Sequence, residues 1–218
     1  MYPILYKNDF KKTYMNPINS QENIHWVYQS IINWHQLTDQ KDELKKVLQS
    51  NNNTFYFLKG IIENDNVHAY LGYLNHHIYL HFIPTSFDKE QSFSDFSKIP
   101  DQMQSCIATN DEVNLGGPID QDEAIKRIEN WKDEEIRNQV LDSIQIHQAF
   151  FIPNDNFSLN APLKVVFALN QQEPDLILTT INEHESYYDT CRPVPPFPPG
   201  VEESEFSLLQ IIKLNNFI

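Results

Sequence analysis

Histidine, cysteine and acidic side chains set what chemistry this chain could perform. His68, His76, His77 and His81 fall within one short stretch, out of eight histidines in the chain. On a strand, His77, Tyr79 and His81 share one face, and Ile78, Leu80 and Phe82 take the other. Residues four apart on a strand are separated by roughly 13 Å, from a rise of ~3.3 Å per residue. Zn–N bonds are only about 2 Å, so His77 and His81 cannot chelate one ion in that geometry, and no metal site is expected. That face reads as solvated. Trp26 falls off the apolar stripe of its helix and is the exposed aromatic expected to join His77 and His81 as a binding residue.

His184, Asp189 and Cys191 supply an imidazole, a carboxylate and a thiol, the parts of a cysteine nucleophile system. Arg192 stands next to the thiol and would lower its pKa by charge. Cys191, however, opens a proline-rich segment, and a nucleophile needs a rigid cradle and an oxyanion site. Neither is visible, so no catalytic residue is assigned. Among the acids, Asp133-Glu134-Glu135 and Glu202-Glu203 read as solvated faces. Asp88, Glu90 and Asp95 are interleaved with Phe87, Phe93 and Phe96, which reads as a loop pinned by aromatics. Asn64-Asp65-Asn66 lacks the later Gly and Glu of a calcium loop. With only five glycines, no Gly-rich loop and no Walker-type lysine, no nucleotide or other cofactor is expected.

The elements that would position these groups recur. Ile24, Val27, Tyr28, Ile31 and Trp34 stand at helical spacing, with Ser20 as cap. Ala124, Ile125, Ile128 and Trp131 do the same after Asp120 and Glu123, which have capping-box spacing. A second helix follows each tryptophan, carried by Leu44, Val47 and Leu48 after Asp39, and by Ile136, Val140, Leu141 and Ile144. Asn51-Asn52-Asn53 breaks the first copy. Strands follow over 54–58, 69–74 and 78–83, the last two joined around Asn75-His76-His77, and over 149–152, 164–169 and 176–181. The strands are too close together for crossover helices, so each set reads as an antiparallel meander.

The pattern predicts an α+β protein of two similar units, each with helices followed by an antiparallel meander. The expected boundaries are an N-terminal arm over 1–14, a first unit over 15–115, a second over 116–192, and a proline-rich strap with an apolar tail over 193–218. Gly116-Gly117-Pro118 marks the junction. From Cys191 to Gly200 the prolines predict an extended strap with polyproline II character and no strand.

The 218 residues carry a net charge of −14 and are 40% hydrophobic. That is a globular composition. So acidic a surface repels nucleic acid and anionic lipid, and no apolar run approaches the ~18 residues of a membrane span. The N-terminus lacks a secretory pattern, and two cysteines make no disulfide framework. A cytoplasmic protein with free thiols is expected.

The second unit resembles small uncharacterised bacterial proteins with a domain of unknown function. They share a helix ending like Ile128-Glu129-Asn130-Trp131-Lys132, and a later motif like Tyr188-Asp189-Thr190-Cys191-Arg192-Pro193-Val194-Pro195-Pro196. The resemblance implies no activity and no ligand. The function expected from the residues is non-enzymatic binding, specifically an acidic inhibitor or immunity-type protein that caps a basic partner. The alternatives are a small-ligand binder or enzyme with a site between the halves, using His81 with His184 or Asp189, and a homodimer that exchanges its tail.

Overall fold

The computed structural model describes residues 24–50, 54–57, 65–89, 103–108, 119–144, 146–154, 163–180, 187–189, 191–195, 197 and 200–210. Ser20, Asn51–Asn53, Gly116-Gly117-Pro118, His184, Glu90, Asp95, the N-terminal arm and the tail beyond residue 210 lie outside these residues. The chain is α+β, with helices α1 (Ile24–Thr38), α2 (Lys41–Ser50), α3 (Gln121–Lys132) and α4 (Glu134–Ser143). Its strands are β1 (Thr54–Phe57), β2 (Val67–Leu74), β3 (His77–Pro84), β4 (Gln104–Ile107), β5 (Ala149–Ile152), β6 (Leu163–Asn170), β7 (Glu173–Thr180), β8 (Tyr187–Tyr188) and β9 (Arg192–Val194).

Local signals start and stop these helices. Asp120 Oδ1 accepts from the Asp122 and Glu123 amides and begins α3, and Asp133 Oδ1 accepts from Glu135 and Ile136 and begins α4. These carboxylates satisfy orphan amides and favour the positive end of each helix. Asp133 therefore acts as a cap and not as part of a free acidic face. In α2, Leu44 N bonds to Gln40 O, which puts Gln40 at the cap position and Asp39 one residue before it. Along α4 the buried positions are Arg137, Val140 and Leu141. Ile136, read from the sequence as part of the apolar stripe, is 38% exposed. Arg137 takes the inner place because its Nη1 donates to Trp131 O at 2.9 Å, which satisfies a carbonyl at the end of α3.

Among the described residues all the strand pairs are antiparallel, and they form two sheets, ordered β1-β6-β7-β8 and β4-β3-β2-β5-β9. The hairpins β2–β3 and β6–β7 follow from local chemistry. Asn75 and His76 both adopt positive φ (51° and 64°), the geometry of a primed two-residue turn whose twist suits a hairpin. The turn is thus Asn75-His76, and His77 already belongs to β3.

The first strand of each half does not join its own meander. β1 pairs with β6, and β5 pairs with β2. Phe55 stands opposite Val165, and Phe150 opposite Ala69. The four-stranded sheet therefore contains β1 from the first half, and the five-stranded sheet contains β5 and β9 from the second; β1 and β5 enter in matching register.

Strand alternation then sorts the side chains into layers. Val67, Ala69 and Leu71 of β2 and Ile78, Leu80 and Phe82 of β3 share one core with Leu163, Val165, Phe167, Leu176 and Leu178 of the second sheet. The two sheets face each other across it. The outer face of the first sheet is covered by Val27 and Ile31 of α1 with Phe206, Leu208 and Leu209. The outer face of the second is covered by Ala124 and Ile128 of α3. Trp34 and Trp131, both fully buried, reach from the ends of α1 and α3 into the central core. Trp34 Nε1 donates to His147 O at 3.2 Å, and Trp131 stacks on Phe167 with ring centroids 4.8 Å apart. Leu44, Val47 and Leu48 of α2 and Val140 and Leu141 of α4 complete the same core. Polar contacts tie these two helices together, among them Lys45 Nζ to Asp142 Oδ1 at 2.5 Å.

The proline-rich segment departs from expectation. Arg192–Val194 forms β9 at the edge of the five-stranded sheet, with Pro193 opposite Phe150. Proline is tolerated there because an edge strand needs hydrogen bonds on one side only. The short strands β4 and β8 carry too few residues to show a periodic pattern.

Because neither sheet is complete without the other half, fragments 1–115 and 116–218 are expected to remain largely unfolded alone and to regain structure when mixed. Far-ultraviolet circular dichroism of each fragment and of the mixture checks this. Phe55→Ala or Phe150→Ala in the intact chain should cost about 3–5 kcal/mol, read from urea unfolding as a single transition in either variant.

Candidate functional site

The expected binding residues meet on the outer face of the first sheet. Tyr79 lies between His77 and His81, as strand alternation requires, and stacks on the His81 ring with centroids 5.9 Å apart. Trp26 packs edge-on to both Tyr79 and His81 at 5.2 Å. Trp26 is half-buried by this contact, and His77 alone of the three is exposed. His81 is fully buried and bridges two hydroxyls, with Nε2 at 2.8 Å from Ser30 Oγ and Nδ1 at 2.7 Å from Ser105 Oγ. Ser30 Oγ donates to Val27 O at 2.7 Å, so it accepts the hydrogen bond from His81 Nε2–H, and Nδ1 accepts from the Ser105 hydroxyl. The ring is therefore a neutral bridge, and burial pushes its pKa down to about 3. Ser30 is not activated as a nucleophile, because its own proton is committed to a carbonyl. This bridge depends on Gly72, where a Cβ would come within 2.5 Å of Ser30 Oγ and 2.7 Å of His81 Nε2.

Next to it lies the carboxylate of Asp88, in the loop after β3. Asp88 is 2% exposed. Its Oδ2 lies 2.5 Å from His68 Nδ1 and accepts from the Tyr70 hydroxyl. His68 and Tyr70 alternate along β2 with the core residues and so point outward together. Phe206 stacks on His68 with centroids 3.8 Å apart, and Ser207 Oγ donates to Asp88 O at 3.1 Å. Burial raises the Asp88 carboxyl above the ordinary carboxylate range, against its bonds from His68 and Tyr70. Among the described residues, Asp88 Oδ1 is buried without a hydrogen-bond partner. The sequence signal was available in part: an acid one turn beyond β3, with His68 and Tyr70 two apart on the paired strand. Nothing in the sequence linked Phe206 and Ser207 to it.

A cleft of about 490 Å³ opens beside Asp88, between the turn after β3 and the segment around residue 205. Asp88 and Ser207, both buried, form its inner wall, while Ser86, Lys89, Ser204 and Glu205 are exposed around it. Asp65 completes the wall and is fixed there, with Oδ1 accepting from Thr85 Oγ1 at 2.7 Å and Oδ2 from Ser86 N at 2.8 Å. Burial acts to raise its pKa, but the bonds from Ser86 and Thr85 outweigh it and hold the carboxyl below its ordinary value. Among the described residues, no three His, Cys, Asp or Glu stand close enough to share a metal ion.

The thiol cluster has a different character from the one its residue types suggested. Asp189 and Cys191 are near one another, but the partners that matter are Arg127 and Asp175. Arg127 Nη1 donates to Asp189 Oδ2 at 2.6 Å, and Nε donates to Glu123 Oε1 at 2.8 Å. Burial raises the Asp175 carboxyl to about 8, helped by the charge of Asp189. Burial, then the charges of Asp175 and Asp189, hold the Cys191 thiol well above its usual range. Arg192 is exposed on β9, so its proximity in sequence does not translate into activation. Cys106 is likewise pushed up to about 12 by burial. Asp189 and Arg127 lie with α3 outside the second sheet, whereas His81 lies under α1 outside the first. The shared core stands between them and, among the described residues, keeps His81 and Asp189 apart.

Two outcomes follow from these geometries. Gly72→Ala should break the Ser30–His81 contact and cost about 1–3 kcal/mol, seen as a lower melting temperature; adding Ser30→Ala should recover part of the loss. Asp175 has a folded pKa above its unfolded one, so its stabilising contribution is complete below about pH 4 and is lost as pH rises towards 8. Asp175→Asn should therefore gain stability relative to the wild type between pH 5 and pH 8, measured by urea unfolding across that range.

No family model matches the chain, and comparison with curated proteins and with solved structures gives no match either.

Proposed function

We propose that this protein is a non-catalytic binding protein whose partner is a basic protein. The observation that carries the reading is the Asp88 cleft. It gathers the carboxylates of Asp65 and Glu205 with a set of hydroxyls over the buried Asp88, on a chain of net charge −14. Fixed carboxylates in a concave site attract positive groups and repel anions. The acidic exterior adds long-range steering, which raises the rate of association with a basic protein. The polar groups under α1 support the same role. His68, Tyr70, His81, Ser30 and Ser105 bond one another or Asp88 inside the fold, where such networks rigidify a surface. The like order of elements in the two halves, with matching register of their first strands, supports an origin by internal duplication.

The test is affinity capture from native lysate on immobilised protein, at about 0.05 M and about 0.5 M salt, conditions that move the Debye length from well above to well below ~10 Å. A discrete protein of high isoelectric point should be retained at the lower salt and released at the higher. Retention of no basic protein, or retention insensitive to salt, would count against the proposal.

A further inference from the structure

We infer that Asp175 and Asp189 form a proton-held latch, which keeps the chain between β8 and β9 closed over the Cys191 thiol and releases it in mildly alkaline solution. The two carboxyls come from different elements. Asp175 lies on β7, and Asp189 follows β8. They stand within hydrogen-bond reach of each other, and a hydrogen bond between two carboxyl groups needs a proton on one of them. Asp189 Oδ2 accepts from Arg127 Nη1 at 2.6 Å, whereas Asp175 Oδ2 is 3.9 Å from the same nitrogen. The guanidinium therefore favours the charged form of Asp189, and the proton belongs on Asp175. Asp175 Oδ1 accepts from Leu176 N at 2.8 Å, which leaves Oδ2 to carry the proton.

The groups around the pair cannot balance a further negative charge. On α3, Arg127 Nε also donates to Glu123 Oε1 at 2.8 Å. Among the described residues, Arg127 is the one cation bonded to any of these acids. Cys191 is the remaining titratable neighbour, and the charges of Asp175 and Asp189 both act on it. Once Asp175 ionises, three carboxylates face one guanidinium. Asp175 is 4% exposed, so water screens that repulsion little. Burial, then the charge of Asp189, raises the Asp175 carboxyl, so the proton is held at neutral pH and lost just above it.

The fold decides which side of the latch yields. β7 has eight residues, all paired with β6. β8 has two, and its pairing with β7 ends at Tyr188. β9 has three and lies at the edge of the other sheet. Asp189 and Cys191 fall between β8 and β9 and belong to neither ladder. Tyr187 is anchored, because it packs with Ala124 and Ile128 and its carbonyl accepts from Ile119 N at 3.2 Å. Repulsion at Asp175 is therefore relieved by movement of Asp189 and the residues after it. That movement uncovers Cys191, which is 6% exposed in the closed form.

Alkylation of the full chain with iodoacetamide from about pH 6.5 to about pH 9, read at each cysteine by peptide mass spectrometry, tests the latch. Cys106 is an internal control for thiol ionisation and global unfolding. It is also buried, but it lies on β4 of the other sheet and donates to Tyr56 O at 2.7 Å. The ratio of Cys191 to Cys106 modification should rise at least about tenfold over this range, because loss of one coupled proton shifts an opening equilibrium by up to about tenfold per pH unit. Asp175→Asn keeps an N–H donor for Asp189 and an acceptor for Leu176 N but does not titrate, so its ratio should stay flat. The carboxyl carbon resonance of Asp175, identified by its loss in that variant, should titrate near pH 8. A flat ratio in the wild type, an equal rise in Asp175→Asn, or an Asp175 resonance that titrates in the ordinary carboxylate range would overturn the inference.

Discussion

Each sheet is completed by a strand that comes from the other half of the chain, and most of the architecture follows from that exchange. β1 and β5 are only four residues long and could not hold a position alone. Once inserted beside β6 and β2, they place Phe55 and Phe150 in the core between the sheets. The two sheets must then lie face to face, because their edges are linked by chain that crosses from one to the other. The outer faces of both sheets still need cover, and α1 and α3 supply it. α2 and α4 complete the same central core. A core of this kind cannot be divided at the middle of the chain, so the halves are structurally interdependent.

The same arrangement decides where polar chemistry can occur. The inner faces are filled by branched and aromatic side chains, and a polar group there would find no partner. The outer face of the first sheet has β2 and β3 positions that carry His68, Tyr70, Tyr79 and His81, under α1 and the segment around Phe206. Every one of these side chains has to be paired or stacked to be tolerated. Ser30 and Ser105 take His81, Asp88 takes His68 and Tyr70, and Trp26 covers Tyr79. The result is a rigid polar floor, and the Asp88 cleft opens at its edge. On the second sheet the corresponding layer holds Asp175, Asp189 and Arg127. Three acids, Glu123, Asp175 and Asp189, surround one guanidinium there, and burial, reinforced by the charge of neighbouring acids, raises both the Asp175 carboxyl and the Cys191 thiol. Residue types that suggest a nucleophile thus produce the opposite electrostatic environment.

What could be read from the sequence was local. Helical spacing located Trp34 and Trp131, Asp120 announced the start of α3, and alternation on β3 separated His77, Tyr79 and His81 from Ile78, Leu80 and Phe82. Each of these signals depends on neighbours within one or two turns, or on the pleat of one strand. The α+β class follows from their order. Composition and net charge are equally properties of the sequence alone.

Tertiary structure decided everything that depends on distant partners. Nothing near Thr54 or Ala149 specifies that each strand pairs across the halves, because backbone hydrogen bonding is the same for any strand of suitable length. Pro193 could enter β9 only because an edge was available for it. Arg137 replaced Ile136 on the buried side of α4 because a carbonyl of Trp131 lay within reach. Asp88 became the centre of a site because His68, Tyr70 and Ser207, up to 119 positions away, converge on it. Arg192 failed to activate Cys191 because its side chain is exposed, while the thiol is buried within the field of Asp175 and Asp189. Short-range patterns are written in the order of residues, but the charge and packing around a side chain are set by whatever the fold brings next to it.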